Sequence, residues 1–212
     1  MCIICVSPKG TPQPTRDQIR RMFEHNPHGA GYMVARNGAV QIHKGFTDLQ
    51  EFQLQVDRER FTPEDVVVYH FRISTQAGTT PEMTHPFPLS SKLEHMTALD
   101  ITCPCGVAHN GVIHLTSNGN PRYSDTALFI TQYMTRIIRK TPDLHDQSVL
   151  RILEELTKSR LAILDKTGHV ATVGKFIHES NGLMFSNTSY LEFTWNPVNF
   201  SRYRGFSLQE GV

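Results

Sequence analysis

The chain opens with MCIICVS over Met1–Ser7, and the reading of this stretch decides the fold. Ile3, Ile4 and Val6 are strand formers, so Cys2–Ser7 reads as a first β-strand. Period-two alternation points successive side chains to opposite faces, which separates Cys2 from Cys5. The run is too short for a signal-peptide core and lacks basic flanking residues. Cys2 stands directly behind Met1, and cysteine is small enough for methionine aminopeptidase to trim the initiator. The expected mature chain therefore begins with a residue carrying both a thiol and a free α-amino group. An α-amino pKa of ~7.7–8.0 lies close enough to neutrality to accept a proton, and a thiol at ~8.5 needs modest help to ionise. One residue then supplies nucleophile and base. A buried cysteine in a first strand is the plain alternative, and the residues that join Cys2 decide between them.

Helices and strands of mixed order follow. Thr15–Glu24 reads as a helix capped by Thr15. Gly31–Arg36 and Ala39–Lys44 flank Asn37-Gly38, a strong hairpin signal. Asp48–Arg58 is helical, and Val66–Arg72 is a buried strand by its β-branched run. Ser74–Thr102, rich in Pro, Ser and Thr, reads as an irregular loop with room for a lid. Val107–Leu115 is a strand region interrupted by Asn110-Gly111. Ser124 caps a helix through Arg139, with Leu128, Ile130, Met134, Ile137 and Ile138 mostly inward. Gln147–Lys158 is another helix, with Leu150, Leu153 and Leu156 as core. Leu161–Asp165 and His169–Gly174 form a hairpin, Leu183–Ser186 adds a strand, and Asn196–Val212 is a polar, aromatic-dotted tail. The pattern alone gives an α+β fold of mainly antiparallel strands.

The 212 residues suffice for one compact domain, 1–212, with a sizeable core. Lys and Arg number 21 against 20 Asp and Glu, a net charge of +1. That balance argues against a nucleic-acid-binding face or an electrostatic membrane anchor. No run approaches transmembrane length. The expectation is a cytoplasmic protein with reduced thiols. Cys2-x-x-Cys5 with Cys103-Pro-Cys105 is a weaker zinc pattern than paired Cys-x-x-Cys. The eleven histidines show no metal spacing. No metal and no cofactor are expected.

Three later segments join Cys2: HFRISTQAGTTPEMTHPF at His70–Phe87, AHNGVI at Ala108–Ile113 and YSDTA at Tyr123–Ala127. With the leading cysteine they resemble the class II glutamine amidotransferases, whose glutaminase domain carries His-x-Arg-x-x-Thr, His-Pro, His-Asn-Gly and Ser-Asp-Thr in this order. The likeness continues more weakly through HGAGY at His28–Tyr32 and GLMFSNTSY at Gly182–Tyr190. It departs at Gln76 and Ala77, where the family usually has histidine and glycine, at Ile73, where an aromatic is common, and at His28, which takes the place of an aspartate.

The resemblance implies the four-layer αββα sandwich of N-terminal nucleophile (Ntn) hydrolases and a glutaminase activity. Cys2 would attack the side-chain amide of glutamine, and its own amino group would shuttle the proton. Asn110 and Gly111 would form the oxyanion hole. Arg72 offers the planar fork that a carboxylate calls for. Thr75 and Gln76 would add to that grip, and Asp125 would hold the α-ammonium. Each has a plainer reading: Arg72 as a surface ion-pair residue, Asn110-Gly111 as a hairpin turn, Asp125 as part of a helix cap. His70 and His85 read as structural. The chain shows no acceptor domain and no Gly-rich phosphate loop, so the expected partner is an ammonia-accepting synthase subunit. A free-standing N-terminal-nucleophile amidohydrolase and a non-catalytic binding protein on the same fold remain the alternatives.

Overall fold

The structure, a computed structural model, describes residues 2–74, 80–114, 122–139 and 146–192. It is a mixed α+β fold built on two antiparallel sheets. The first strand, β1, spans Ile3–Ser7. It sits centrally in a seven-stranded sheet with β2 (Ala30–Arg36), β3 (Ala39–Phe46), β4 (Val67–Phe71), β6 (Asp100–Cys103), β10 (Ile177–His178) and β11 (Met184–Phe185), in the order β10-β11-β1-β4-β2-β3-β6. The second sheet has the order β5-β7-β8-β9, with β5 at Phe87–Pro88, β7 at Cys105–Asn110, β8 at Arg160–Asp165 and β9 at Val170–Val173. All strand pairs are antiparallel.

Local chemistry accounts for most boundaries. Helix α1 (Arg16–His25) starts at a complete capping box between Thr15 and Gln18. Helix α2 (Leu49–Glu59) is capped by Asp48, whose side chain accepts from the Glu51 N–H. Asn37 and Gly38 both take positive φ, 54° and 71°, as the tight β2–β3 turn requires. Ser124 caps α3 (Asp125–Phe129), which continues through a π-helical turn (Ile130–Met134) into α4 (Thr135–Arg139). Helix α5 (Gln147–Thr157) ends at Lys158, a non-glycine residue in the left-handed conformation.

Alternation along the strands divides the apolar residues among three cores. Ile3, Cys5, Tyr32, Val67, Tyr69 and Phe71 pack against Met22 and Phe23 of α1 and Phe52 of α2. Their sequence neighbours Ile4, Val6, Met33 and Val68, with Ile42 of β3, meet Ala108, Ala162 and Leu164 of the smaller sheet. Val107, Leu161 and Ile163 turn the other way, toward Ile130, Met134 and Leu153 of the later helices.

The Ser74–Thr102 reading needs correction. Its residues 75–79 lie outside the described set, but the rest is not a loose loop. It contains β5, β6 and short 3-10 turns at Pro81–Met83 and Leu93–Thr97. The fastener is Lys44, only 4 % exposed. Its Nζ donates to the carbonyls of Glu82 (2.8 Å) and Met96 (2.7 Å) and lies 3.9 Å from the centre of the Phe87 ring. Gly31 permits the same closeness, since a Cβ there would come within 2.3 Å of the His85 carbonyl. Asn110-Gly111 is likewise no hairpin turn: β7 ends at Asn110 and pairs with β8 across its length. The tail at 196–212 lies outside the described residues.

Candidate functional site

Strand parity assembles the centre. Ile4 and Val6 of β1, Val68 of β4 and Ala108 of β7 face the space between the sheets. Two residues further along the same faces stand Cys2, His70 and Asn110. His70 bridges the sheets, its Nε2 donating to the His109 carbonyl at 2.9 Å. Arg72 continues the His70 side past the end of β4, held between Gly29 and His28 through paired backbone hydrogen bonds of 2.7 and 2.9 Å. His28 then accepts from the Ser74 N–H through Nδ1 at 2.9 Å, which directs the chain out of the strand.

Cys2 stands at the junction of two cavities. One, of about 610 Å³, is lined by Cys2, Arg72, Ser74, Gly111 and Asp125, with His85 and His109 among its walls. The other, of about 620 Å³, contains Cys2, Asn110, Gly111 and the chain from Leu156 to Arg160. The Cys2 thiol donates to the Ile73 carbonyl at 3.6 Å. Burial pushes that thiol above its ordinary value, opposed by a backbone hydrogen bond at Ile73 and by the positive charge of Arg72. A half-buried thiol of this kind needs a base or a substrate-triggered change to become a thiolate.

Arg72 pairs with no carboxylate among the described residues, and its Nη1 is buried without a hydrogen-bond partner. Desolvation lowers its pKa, while Cys2 and Asp125 act in the opposite sense. A half-buried guanidinium whose Nη1 is unmatched, on the wall of a cavity, is prepared for an anionic group. Asp125 is already engaged. Its Oδ2 accepts from the Ile113 N–H at 2.6 Å and its Oδ1 from the Thr126 N–H at 2.8 Å. It therefore ties the Gly111–Ile113 segment to the start of α3, and a carboxylate with about four lone-pair sites retains capacity for a further donor.

The fully buried Asn110 donates from Nδ2 to Ser186 Oγ at 2.8 Å, leaving its Oδ1 unpartnered. Ser186 Oγ also accepts from the Ile4 N–H at 2.9 Å, so its hydroxyl proton is available. Turning the amide over lets Ser186 donate to Oδ1 and places Nδ2 where the orphaned oxygen now sits. In that orientation Asn110 presents a donor. Gly111 follows with no room for a side chain: a Cβ would lie 2.3 Å from Ser159 Oγ.

Thr75 and Gln76 lie outside the described residues, whereas Cys2, Arg72, Asn110, Gly111 and Asp125 all line the two cavities. The other cysteines disperse, Cys5, Cys103 and Cys105 belonging to three different cores. Several contributors were not singled out in the sequence. Asn187 Nδ2 donates to the Cys2 carbonyl at 2.7 Å, and Ser186 braces both Ile4 and Asn110. The polar pair directly after the apolar Leu183-Met184-Phe185 in GLMFSNTSY is the signal that marks them. His70, His85 and His109 form a buried imidazole row, with ring centres 4.3 Å apart for His70 and His85 and 6.1 Å for His85 and His109. Burial holds all three below the ordinary histidine value, to about 3 for His70 and about 4 for His109.

No model of a known protein family matches the chain, and neither does any curated protein. Among the described residues no helix is long and apolar enough to cross a membrane.

Proposed function

We propose that the protein is a class II glutamine amidotransferase-like glutaminase on a four-layer αββα Ntn-hydrolase fold. The layered reading is supported by the three separate cores, each lying against a different pair of sheet or helix faces. The activity rests on one observation above the others: Cys2, Arg72, Gly111 and Asp125, distant in sequence, line a single cavity in which Arg72 has no carboxylate partner among the described residues. In this reading Met1 is removed and Cys2 begins the chain. Glutamine enters with its α-carboxylate on Arg72, aided by Thr75 and Gln76, and its α-ammonium near Asp125. The Cys2 thiol loses its proton to its own amino group, and the thiolate attacks the amide carbon. The oxyanion meets donors from Asn110 and Gly111, ammonia leaves with the proton, and water resolves the thioester to glutamate. The ammonia passes to an acceptor on a partner synthase.

Intact-mass analysis after treatment with diazo-oxo-norleucine, a glutamine-mimicking electrophile, tests this directly. One adduct is expected on a chain beginning at Cys2, absent in Cys2→Ala and retained in Cys5→Ala, together with glutamine hydrolysis that rises when the native partner is restored. An adduct on Cys5, Cys103 or Cys105, or no hydrolysis by correctly processed protein in any condition, overturns it.

A further inference from the structure

The amino-acid grip just described occupies only one side of Cys2. The second cavity, of about 620 Å³, reaches the same thiol and is walled by Leu156–Arg160 at the end of α5 and the start of β8. Its size falls within the ~300–1,000 Å³ typical of small-molecule sites. Among the described residues its charged lining is Lys158 and Arg160, with His114 beside them and no carboxylate. Arg160 donates through Nε to the Lys175 carbonyl at 3.0 Å and makes no ion pair with a carboxylate among the described residues. Lys158 pairs with Glu155, but both side chains are largely exposed, at 69 % and 75 %, so that pairing is weak in solvent. Lys158 also adopts φ 48°, a left-handed conformation unfavourable for a residue with a Cβ. Ile73, Val112 and Leu156 give the remaining wall an apolar surface.

We infer that this cavity is a second ligand site at the Cys2 centre, built for a small organic anion, a carboxylate or a phosphate ester carried on a compact apolar body. The anion pairs with Arg160 and Lys158, and the apolar body lies against Leu156, Val112 and Ile73. The inference concerns binding alone and stands apart from glutamine hydrolysis. Its occupant would share the thiol with the amino-acid cavity, so a molecule held there is placed to receive what the centre releases or to control access to it.

Methyl-detected NMR titration of the full-length Cys2→Ala protein tests this without catalysis. The probes are benzoate, phenyl phosphate and, as a charge control on a similar body, benzylammonium. Benzoate or phenyl phosphate should shift the Val112 and Leu156 methyl signals saturably, and the preferred one identifies the anion class. Benzylammonium should leave them unmoved. Lys158→Gln with Arg160→Gln should weaken binding at least tenfold, whereas Arg72→Lys should change it less than twofold. Equal binding of benzylammonium, no saturable shift with either anion, or shifts that reach Met83 and Val112 but spare Leu156 and are abolished by Arg72→Lys would each overturn the inference, since Val112 lines both cavities and Leu156 only this one. The charge control needs no variant, so poor folding of the double substitution leaves the test intact. Failure here leaves the glutaminase reading standing, because that rests on Cys2 alkylation and glutamine turnover.

Discussion

Acidification from pH 7 to pH 5 probes the imidazole row beneath the candidate site. His70 is fully buried, and His85 and His109 are 5 % and 2 % exposed. Burial disfavours the imidazolium in each, and for His85 the charges of the neighbouring His70, His109, Arg72 and Lys44 act in the same direction. Asp125 opposes the shift at His109 without reversing it. The folded pKa values are therefore depressed from 6.5 to about 3 for His70 and about 4 for His109. The sign follows from proton counting: below pH 6.5 the unfolded chain binds protons that the folded chain refuses, so stability is present above 6.5 and falls as the pH drops toward 4. Each refused proton costs about 1.4 kcal/mol per pH unit, so at pH 5 His70 and His109 remove roughly 2 kcal/mol apiece. His85 adds in the same sense. Against a typical total of about 5–15 kcal/mol, the loss is large. Urea denaturation at pH 7 and pH 5 should show it as a lowered midpoint at constant slope. The His70→Gln variant, which keeps a donor for the His109 carbonyl, should recover roughly 2 kcal/mol of the difference. Carboxylates held below their ordinary values, such as Asp65, lose their contribution only at lower pH. Equal stability of the parent protein at the two pH values would refute the argument, because the imidazoles would then accept protons in place.

Other perturbations isolate single links. Arg72→Lys keeps the charge but loses the planar fork, and should raise KM for glutamine about tenfold or more with little change in thermal midpoint; unchanged turnover places the carboxylate grip elsewhere. Ser186→Ala removes the brace of Asn110 and should lower kcat on the order of tenfold to a hundredfold with KM nearly constant, since an oxyanion donor matters in the transition state. A rise in KM alone would assign Ser186 to substrate binding instead. Gly111→Ala forces a Cβ into Ser159 and should destabilise the fold by about 1–3 kcal/mol as well as reduce turnover. Adding Ser159→Gly should restore much of the stability, and no rescue in the double variant would show that backbone conformation at Gly111, not the clash, is limiting.

The sequence by itself was informative wherever local physics decides. Capping by Thr15 and Ser124, the Asn37-Gly38 turn, the alternation along Cys2–Ser7 and the β-branched run of Val66–Arg72 were all legible, because each depends on backbone requirements within a few residues. Alternation also carried the decisive orientation, with Cys2 and Cys5 on opposite faces and only Cys5 sealed in the core against α1. Ser74–Thr102 misled for the opposite reason. Its Pro, Ser and Thr content suggested a free loop, but its order comes from Lys44 on β3 and from the absence of a Cβ at Gly31, neither visible in the segment itself. The roles of Ser186 and Asn187 likewise depend on β11 lying beside β1, a pairing of Cys5 with Phe185 and Val6 with Met184 that sets which polar side chain meets Ile4, Cys2 and Asn110. The position of Cys2 and the ordered motifs that resemble a glutaminase domain thus named the candidate nucleophile and its companions, while only tertiary packing could show that Arg72 lacks a carboxylate partner among the described residues and that Cys2 lines two cavities. Both are properties of space left between distant segments, and no local pattern encodes them.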